Sequence, residues 1–172
     1  MRIGLSGTMS VGKTTLAKAL GETDRFKDHS VQTERSKYLS NLGIPLNTDS
    51  TLQGQFVFLA ERATELLQPN IITDRTIWDV CSFTLSAKSI DEFAKRAFTD
   101  SAMFLREYYD VVIYVDPRGA EIEDNGIRTT DLQYRRQIDT VIKMMLEEYP
   151  PKKLIKVEGT TEERILTILQ NI

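Results

Sequence analysis

The stretch GLSGTMSVGKTT, residues 4–15, decides how the rest of the chain is read. It holds three glycines, no acidic residue, and a lysine set directly before two threonines. Gly7 to Thr14 fits the pattern G-x-x-x-x-G-K-[ST]. In that pattern glycines let backbone N–H groups turn inward on phosphate, and the helix that follows adds partial positive charge. The lysine reaches the β- and γ-phosphates, and the hydroxyl can ligate magnesium. RIGLS (2–6) reads as a buried strand before the loop and TTLAKALGE (14–22) as a helix after it, which is the context the mechanism needs. The expected nucleotide-binding set is Gly7, Thr8, Met9, Ser10, Val11, Gly12, Lys13, Thr14 and Thr15, with Thr14 as a metal ligand.

Outward from this loop, apolar runs alternate with segments of helical period. Strands are expected at RIGLS (2–6), HSVQT (29–33), NIITD (70–74), DVVIYVD (110–116) and KLIKVEG (153–159). Helices are expected at about 13–21, 50–68, 77–108 with a break near Ser89, 131–148 and 161–171. Such alternation implies an α/β fold: a five-stranded parallel sheet with helices on both faces. Asp49 and Ser50 are placed to cap the second helix, Thr129 or Thr130 the fourth, and Thr160 with Glu163 has capping-box spacing before the last. Pro150 and Pro151 end the fourth helix. Trp78, Cys81, Phe93, Phe98 and Phe104 read as core. The polar run Pro117–Thr130 and the connection Gly43–Thr48 read as mobile loops.

Composition sets outer limits. The 172 residues fit one domain, and a net charge of −3 argues against a broad nucleic-acid face held by charge alone. One cysteine and one histidine, Cys81 and His29, form neither a disulfide framework nor a Cys/His zinc site, which suits a reducing compartment. Without an apolar leader or an apolar run of about 18 residues, the expected location is cytoplasmic, with no membrane partner.

The phosphate loop alone does not separate a GTPase, an ATPase and a small-molecule kinase. No N-K-x-D guanine-reading element occurs, and a motor ATPase would need more chain. The third strand ends in IITDRT, placing Asp74 and Arg75 at the sheet edge where open parallel sheets bind ligands. Asp116, ending DVVIYVD, is a second choice for the acidic metal partner. Glu34 and Arg35, in VQTERS, follow the second strand at the same edge. Gln53, Gln55 and Phe56 are candidates for reading and stacking an acceptor base.

The segment FVFLAERATELLQPNIITDRTIWDVCSF, residues 56–83, resembles thymidylate kinases and their deoxynucleoside kinase relatives. There a helix with an F-x-A-x-R pattern leads to a strand ending in D-R and then a helix. The resemblance implies a three-layer phosphate-loop fold with a small lid at about 118–136, ATP as donor and Mg2+ as cofactor. It implies Asp74 as base or magnesium partner and Arg62 and Arg75 as acceptor-site cations, with Glu34 competing for the role of base. Without a function, Arg62 would be a solvated helix residue and Asp74 a strand-end cap. In EIEDNGIRTTDLQYRRQID (121–139), the resemblance makes Arg128, Arg135 and Arg136 lid arginines that neutralise charge on the transferred group. Gly159 and Thr160 fall where such kinases wrap the adenine.

The D-R is followed by Thr76 rather than tyrosine or serine, and the chain is shorter than a typical thymidylate kinase. Its whole length is also similar to small phage and bacterial kinases, including nicotinamide riboside kinase-like and hydroxymethyluracil DNA kinase-like proteins. The expected activity is transfer of the γ-phosphoryl group to a nucleoside-like acceptor, foremost a deoxynucleoside monophosphate. A hydroxymethylated base in DNA and nicotinamide riboside are the alternative acceptors. A nucleotide-binding regulatory switch is the alternative of another class. A homodimer is compatible with the family.

Overall fold

The computed structural model describes residues 1–33, 35–118 and 131–172, so Glu34 and the span 119–130, with Arg128, Thr129 and Thr130, lie outside the described residues. Five parallel strands form one sheet in the order β2-β3-β1-β4-β5: β1 Arg2–Ser6, β2 Ser30–Gln32, β3 Ile71–Asp74, β4 Val111–Val115 and β5 Leu154–Val157. The helices are α1 Lys13–Gly21, α2 Ser36–Asn41, α3 Leu52–Glu65, α4 Ile77–Ser86, α5 Glu92–Met103, α6 Leu132–Glu148 and α7 Thr161–Asn171.

The strands read as near-continuous apolar runs because the sheet is covered on both faces; every residue of β4 is buried. Alternate side chains divide between two cores. Ile3, Leu5, Ile113 and Val115 face Leu16 and Leu20 of α1 and Ile168 of α7. Val112 and Tyr114 face the other way, onto Trp78 and Cys81 of α4, Phe98 of α5 and Ile138 and Ile142 of α6. In register, Leu5 pairs with Asp74 and Ser6 with Tyr114, so the carboxyl ends of β1, β3 and β4 form one edge. The phosphate loop and the Asp74–Arg75 pair leave the sheet side by side there.

The five expected strands are present, each trimmed by one residue or more at its ends except β1, and α1 and α7 span their expected ranges. The break near Ser89 separates α4 from α5. The short α2 and the 3-10 turn Asn47–Asp49 were not expected from the sequence. Capping differs at two helices. Thr51, extended at φ −94, accepts from the Gly54 N–H at 3.2 Å and so caps α3 in place of Asp49, which belongs to the 3-10 turn, and Ser50, which is buried. Asp131 caps α6 itself, accepting from the N–H groups of Gln133 and Tyr134 at 2.8 and 3.2 Å. The Thr160–Glu163 box forms as expected.

The aromatic series also divides. Phe98 is buried, whereas Phe93 and Phe104 are 84% and 78% exposed. At about 100° per residue, Phe93 points roughly 140° away from Phe98, so α5 turns only one of them to the core. No helix among the described residues is long and apolar enough to cross a membrane.

Candidate active site

The loop after β1 is shaped by two residues that need unusual backbone space. A Cβ on Gly7, which has φ +150, would sit 2.7 Å from the Val115 carbonyl oxygen, and Gly12 caps α1 in the left-handed region at φ 82. Met9 and Val11, both expected as nucleotide contacts, send their side chains into opposite cores, Met9 among the α4–α6 residues and Val11 beneath α1 and α7. What they can offer a phosphate is their backbone N–H. The loop is also tied from behind. Arg164 of α7 donates to the Val11 carbonyl at 2.8 Å, the Thr8 hydroxyl donates to the Arg135 carbonyl at 3.0 Å, and Arg135 makes a longer 3.5 Å contact to the Ser10 carbonyl.

Lys13 opens α1, and its Nζ donates to the carbonyls of Gly7 and Thr8 at 2.7 and 2.6 Å. Thr14 Oγ1 donates to the carboxylate of Asp74, which is buried at the end of β3. The expected metal pair is thereby brought into contact. Thr15 is exposed on α1. Asp116 instead accepts from Arg118, through N–H at 2.9 Å and Nε at 3.0 Å, at the end of β4.

Arg75 has φ 103, a conformation worth about 1–3 kcal/mol of strain in a residue with a side chain. Its N–H donates to the Leu5 carbonyl at 3.0 Å, and its guanidinium lies over the Phe83 ring, 4.9 Å from the centroid. Arg62 explains how that turn is held. It is neither a solvated helix residue nor a cleft cation: it is 3% exposed and donates to the carbonyls of Asp74 and Arg75 at 3.2 and 3.4 Å and to Glu65 at 2.6 Å. Carbonyls leaving the sheet ladder need donors, and Arg62 supplies them from α3.

Between the β3 edge and α3 lies a cleft of about 540 Å3, counting the part open to solvent, lined by Met9, Ser36, Leu46, Asn47, Ser50, Gln55, Phe58, Arg75, Val80 and Phe83. Of the residues expected on the acceptor side, Gln55 and Arg75 are in it. Phe56 is not: it is half exposed and stands edge-on to Phe98, with centroids 5.1 Å apart. Phe58 takes that place because it lies three residues beyond Gln55, on the same helical face, whereas Phe56 is turned about 100° away. Gln53 is exposed. Arg35 is also outside the lining, pairing with Glu61 at 3.4 Å and stacking over Tyr38. Leu46, Asn47, Phe58, Val80 and Phe83 were missed by sequence reasoning; of these only Phe58 carried a signal, its phase with Gln55.

On the other side of the loop, Arg136 lines an open hollow with Thr8, Arg118, Arg135 and Asp139. Gly159, at φ 85, borders a second hollow with Arg118, Glu158 and Glu163, and Arg118 and Glu158 form an ion pair there. Thr160 is engaged as the cap of α7. Among the described residues no group of three His, Cys, Asp or Glu side chains could hold a metal alone. The donor set that is present, one hydroxyl and one carboxylate, fits magnesium, which usually takes one or two carboxylates together with substrate phosphates.

Beneath the Asp74–Arg75 turn, burial is the largest influence on the Glu65 carboxyl and raises its pKa to about 7, against the pull of Arg62. The folded pKa is above the unfolded one, so the folded state holds this proton longer. Stability therefore falls as pH rises from about 4.5 to 7 and is level above that, by up to about 3 kcal/mol. Glu65→Gln is expected to remove that part of the slope, read as the difference in melting temperature between variant and parent from pH 5 to 8. An unchanged slope would contradict it.

Fold and edge together define an α/β protein of the phosphate-loop class. A family model described as an AAA domain matches residues 2–164, and the chain belongs to that family. No curated protein matches the sequence. Among solved structures, a deoxyadenosine kinase from M. mycoides with bound dCTP is 18% identical with a TM-score of 0.69, over 99% of this chain and 98% of that one. The same kinase with bound dATP gives 17% identity and a TM-score of 0.65, over 99% and 98%. The YorR protein of Bacillus subtilis, in complex with phosphorylated GDP, gives 16% and 0.57, over 99% and 95%. The fold is thus that of nucleoside and nucleotide kinases.

Proposed function

We propose that this protein is an ATP-dependent phosphotransferase acting on a nucleoside-like acceptor. The observation that carries the reading is the contact between the Thr14 hydroxyl and the Asp74 carboxylate, which joins the phosphate loop to the strand end next to Arg75, a residue that lines the cleft. The donor phosphates would lie along the N–H groups of Gly7–Thr14, with Lys13 on the β- and γ-phosphates. Thr14 and Asp74 would hold Mg2+. When bound, the ion neutralises charge between the β- and γ-phosphates. Arg75 would orient the acceptor or the transferred group, and Gln55, which lines the cleft together with apolar Phe58, Val80 and Phe83, would offer paired donor and acceptor atoms to a base edge. Arg128 belongs to this reading as the lid cation, with Arg136 beside the loop. Glu34 competes with Asp74 as base toward the attacking hydroxyl, Arg35 follows it at the same edge, and Gly159 with Thr160 would flank the adenine.

The charge of the cleft bears on the acceptor. A deoxynucleoside monophosphate was expected, with Arg62 as its second cation. Among the described lining residues Arg75 is the only cation, and Arg62 is engaged behind the strand end with Glu65. That supports an unphosphorylated nucleoside. ATP consumption is then expected to rise with a panel of deoxynucleosides and nicotinamide riboside more than with their monophosphates or with DNA carrying hydroxymethylated bases. A monophosphate turned over at lower KM than every nucleoside would overturn the acceptor assignment.

A further inference from the structure

We infer that Asp79 positions the phosphate loop, an assignment that rests on Gly7–Thr14 being that loop. Asp79 lies on α4, is fully buried, and uses its two carboxylate oxygens for two separate tasks. Oδ2 accepts from the N–H and the hydroxyl of Thr76 at 3.0 and 2.7 Å, closing the capping box at the start of α4. Oδ1 accepts from the N–H of Gly7 at 3.1 Å, a bond that spans 72 residues of sequence. A helix cap needs the first set only. The bond to Gly7 fastens the residue at which β1 turns into the loop to the element that begins just after Asp74 and Arg75.

Gly7 is therefore gripped from both sides, its N–H by Asp79 and its carbonyl by Lys13. A lysine that reaches for phosphate gives up its bond to that carbonyl. Asp79 is fully buried, with one carboxylate oxygen on Thr76 and the other on Gly7, so its hold on the loop does not depend on the nucleotide. A buried carboxylate is tolerated only where donors compensate it, and a charge-assisted bond of this kind is among the stronger hydrogen bonds a protein makes. Asp79 is thus a positioning residue: it sets where the first loop N–H groups stand relative to the Thr14–Asp74 pair.

Two variants separate positioning from capping. Asp79→Asn keeps the shape but sets an NH2 group against either Gly7 or Thr76, whereas Thr76→Val removes a capping hydroxyl and leaves Oδ1 with Gly7. Titration with a fluorescent ATP analogue and magnesium is expected to show affinity reduced by about 10- to 100-fold in Asp79→Asn. Thr76→Val should stay within about twofold of the parent while its melting temperature falls. Equal nucleotide affinity in the two variants would overturn the inference. If the parent itself binds no ATP, the fault lies with the loop reading and not with Asp79. Should Asp79→Asn fail to fold, amide exchange of Gly7 in the unmodified protein decides: protection that persists with MgATP is expected, and rapid exchange would overturn the assignment.

Discussion

Lys13→Ala is expected to lower phosphoryl transfer by about 10²- to 10³-fold at saturating ATP, the loss found when one preorganised charge-stabilising donor is removed. Lys13 stands at the first position of α1 with its Nζ held against the Gly7 and Thr8 carbonyls of the loop. In the proposed transfer its role would be electrostatic: the transition state spreads negative charge over the phosphoryl oxygens, and a lysine that turns from these carbonyls to the phosphates would stabilise that charge. Neither hydrophobic core includes Lys13, so the far-ultraviolet circular dichroism of the variant should match the parent. Full activity in Lys13→Ala would contradict the account of the donor side.

Asp74→Asn carries the second large expectation, a loss of about 10²- to 10³-fold together with a higher magnesium requirement. The carboxylate accepts from Thr14 and is buried at the strand end, so the amide keeps the shape and removes the charge that would hold the ion. Asp116→Asn is the matched control. Asp116 ends the neighbouring strand in the same sequence pattern but is occupied by Arg118, and its replacement should change activity by less than about threefold. A greater loss in Asp116→Asn than in Asp74→Asn would exchange their roles. Steady-state rates over a magnesium series distinguish these outcomes.

The parts of this site that were legible in the sequence are those set by local chemistry. Gly7, Gly12, Lys13 and Thr14 fit the pattern of a loop whose backbone curls around phosphate, and the strand before it and helix after it are visible in their periodicity. Asp74 and Arg75 were readable because a strand ending in a charged pair points at the ligand edge of a parallel sheet. Arg62 was legible as important but not in its role, since its bonds go to the backbone of residues 12 and 13 positions later. Asp79 was half legible: Thr76-Ile77-Trp78-Asp79 has the spacing of a capping box, but nothing local announces the bond to Gly7. Phe56 against Phe58 was a matter of helical phase relative to Gln55, which the period alone could have resolved. Leu46, Asn47 and Phe83 reach the cleft through a 3-10 turn and the middle of α4, and neither placement follows from pattern.

In the proposed reaction the phosphate leaving the donor arrives on an acceptor. Incubation with γ-labelled ATP, magnesium and a mixture of deoxynucleosides, followed by separation of the products, reads that directly. Label is predicted in a nucleoside monophosphate, with little released as inorganic phosphate. Label appearing only as inorganic phosphate, at a rate no nucleoside or nucleotide changes, would contradict the kinase reading and favour a nucleotide-hydrolysing switch.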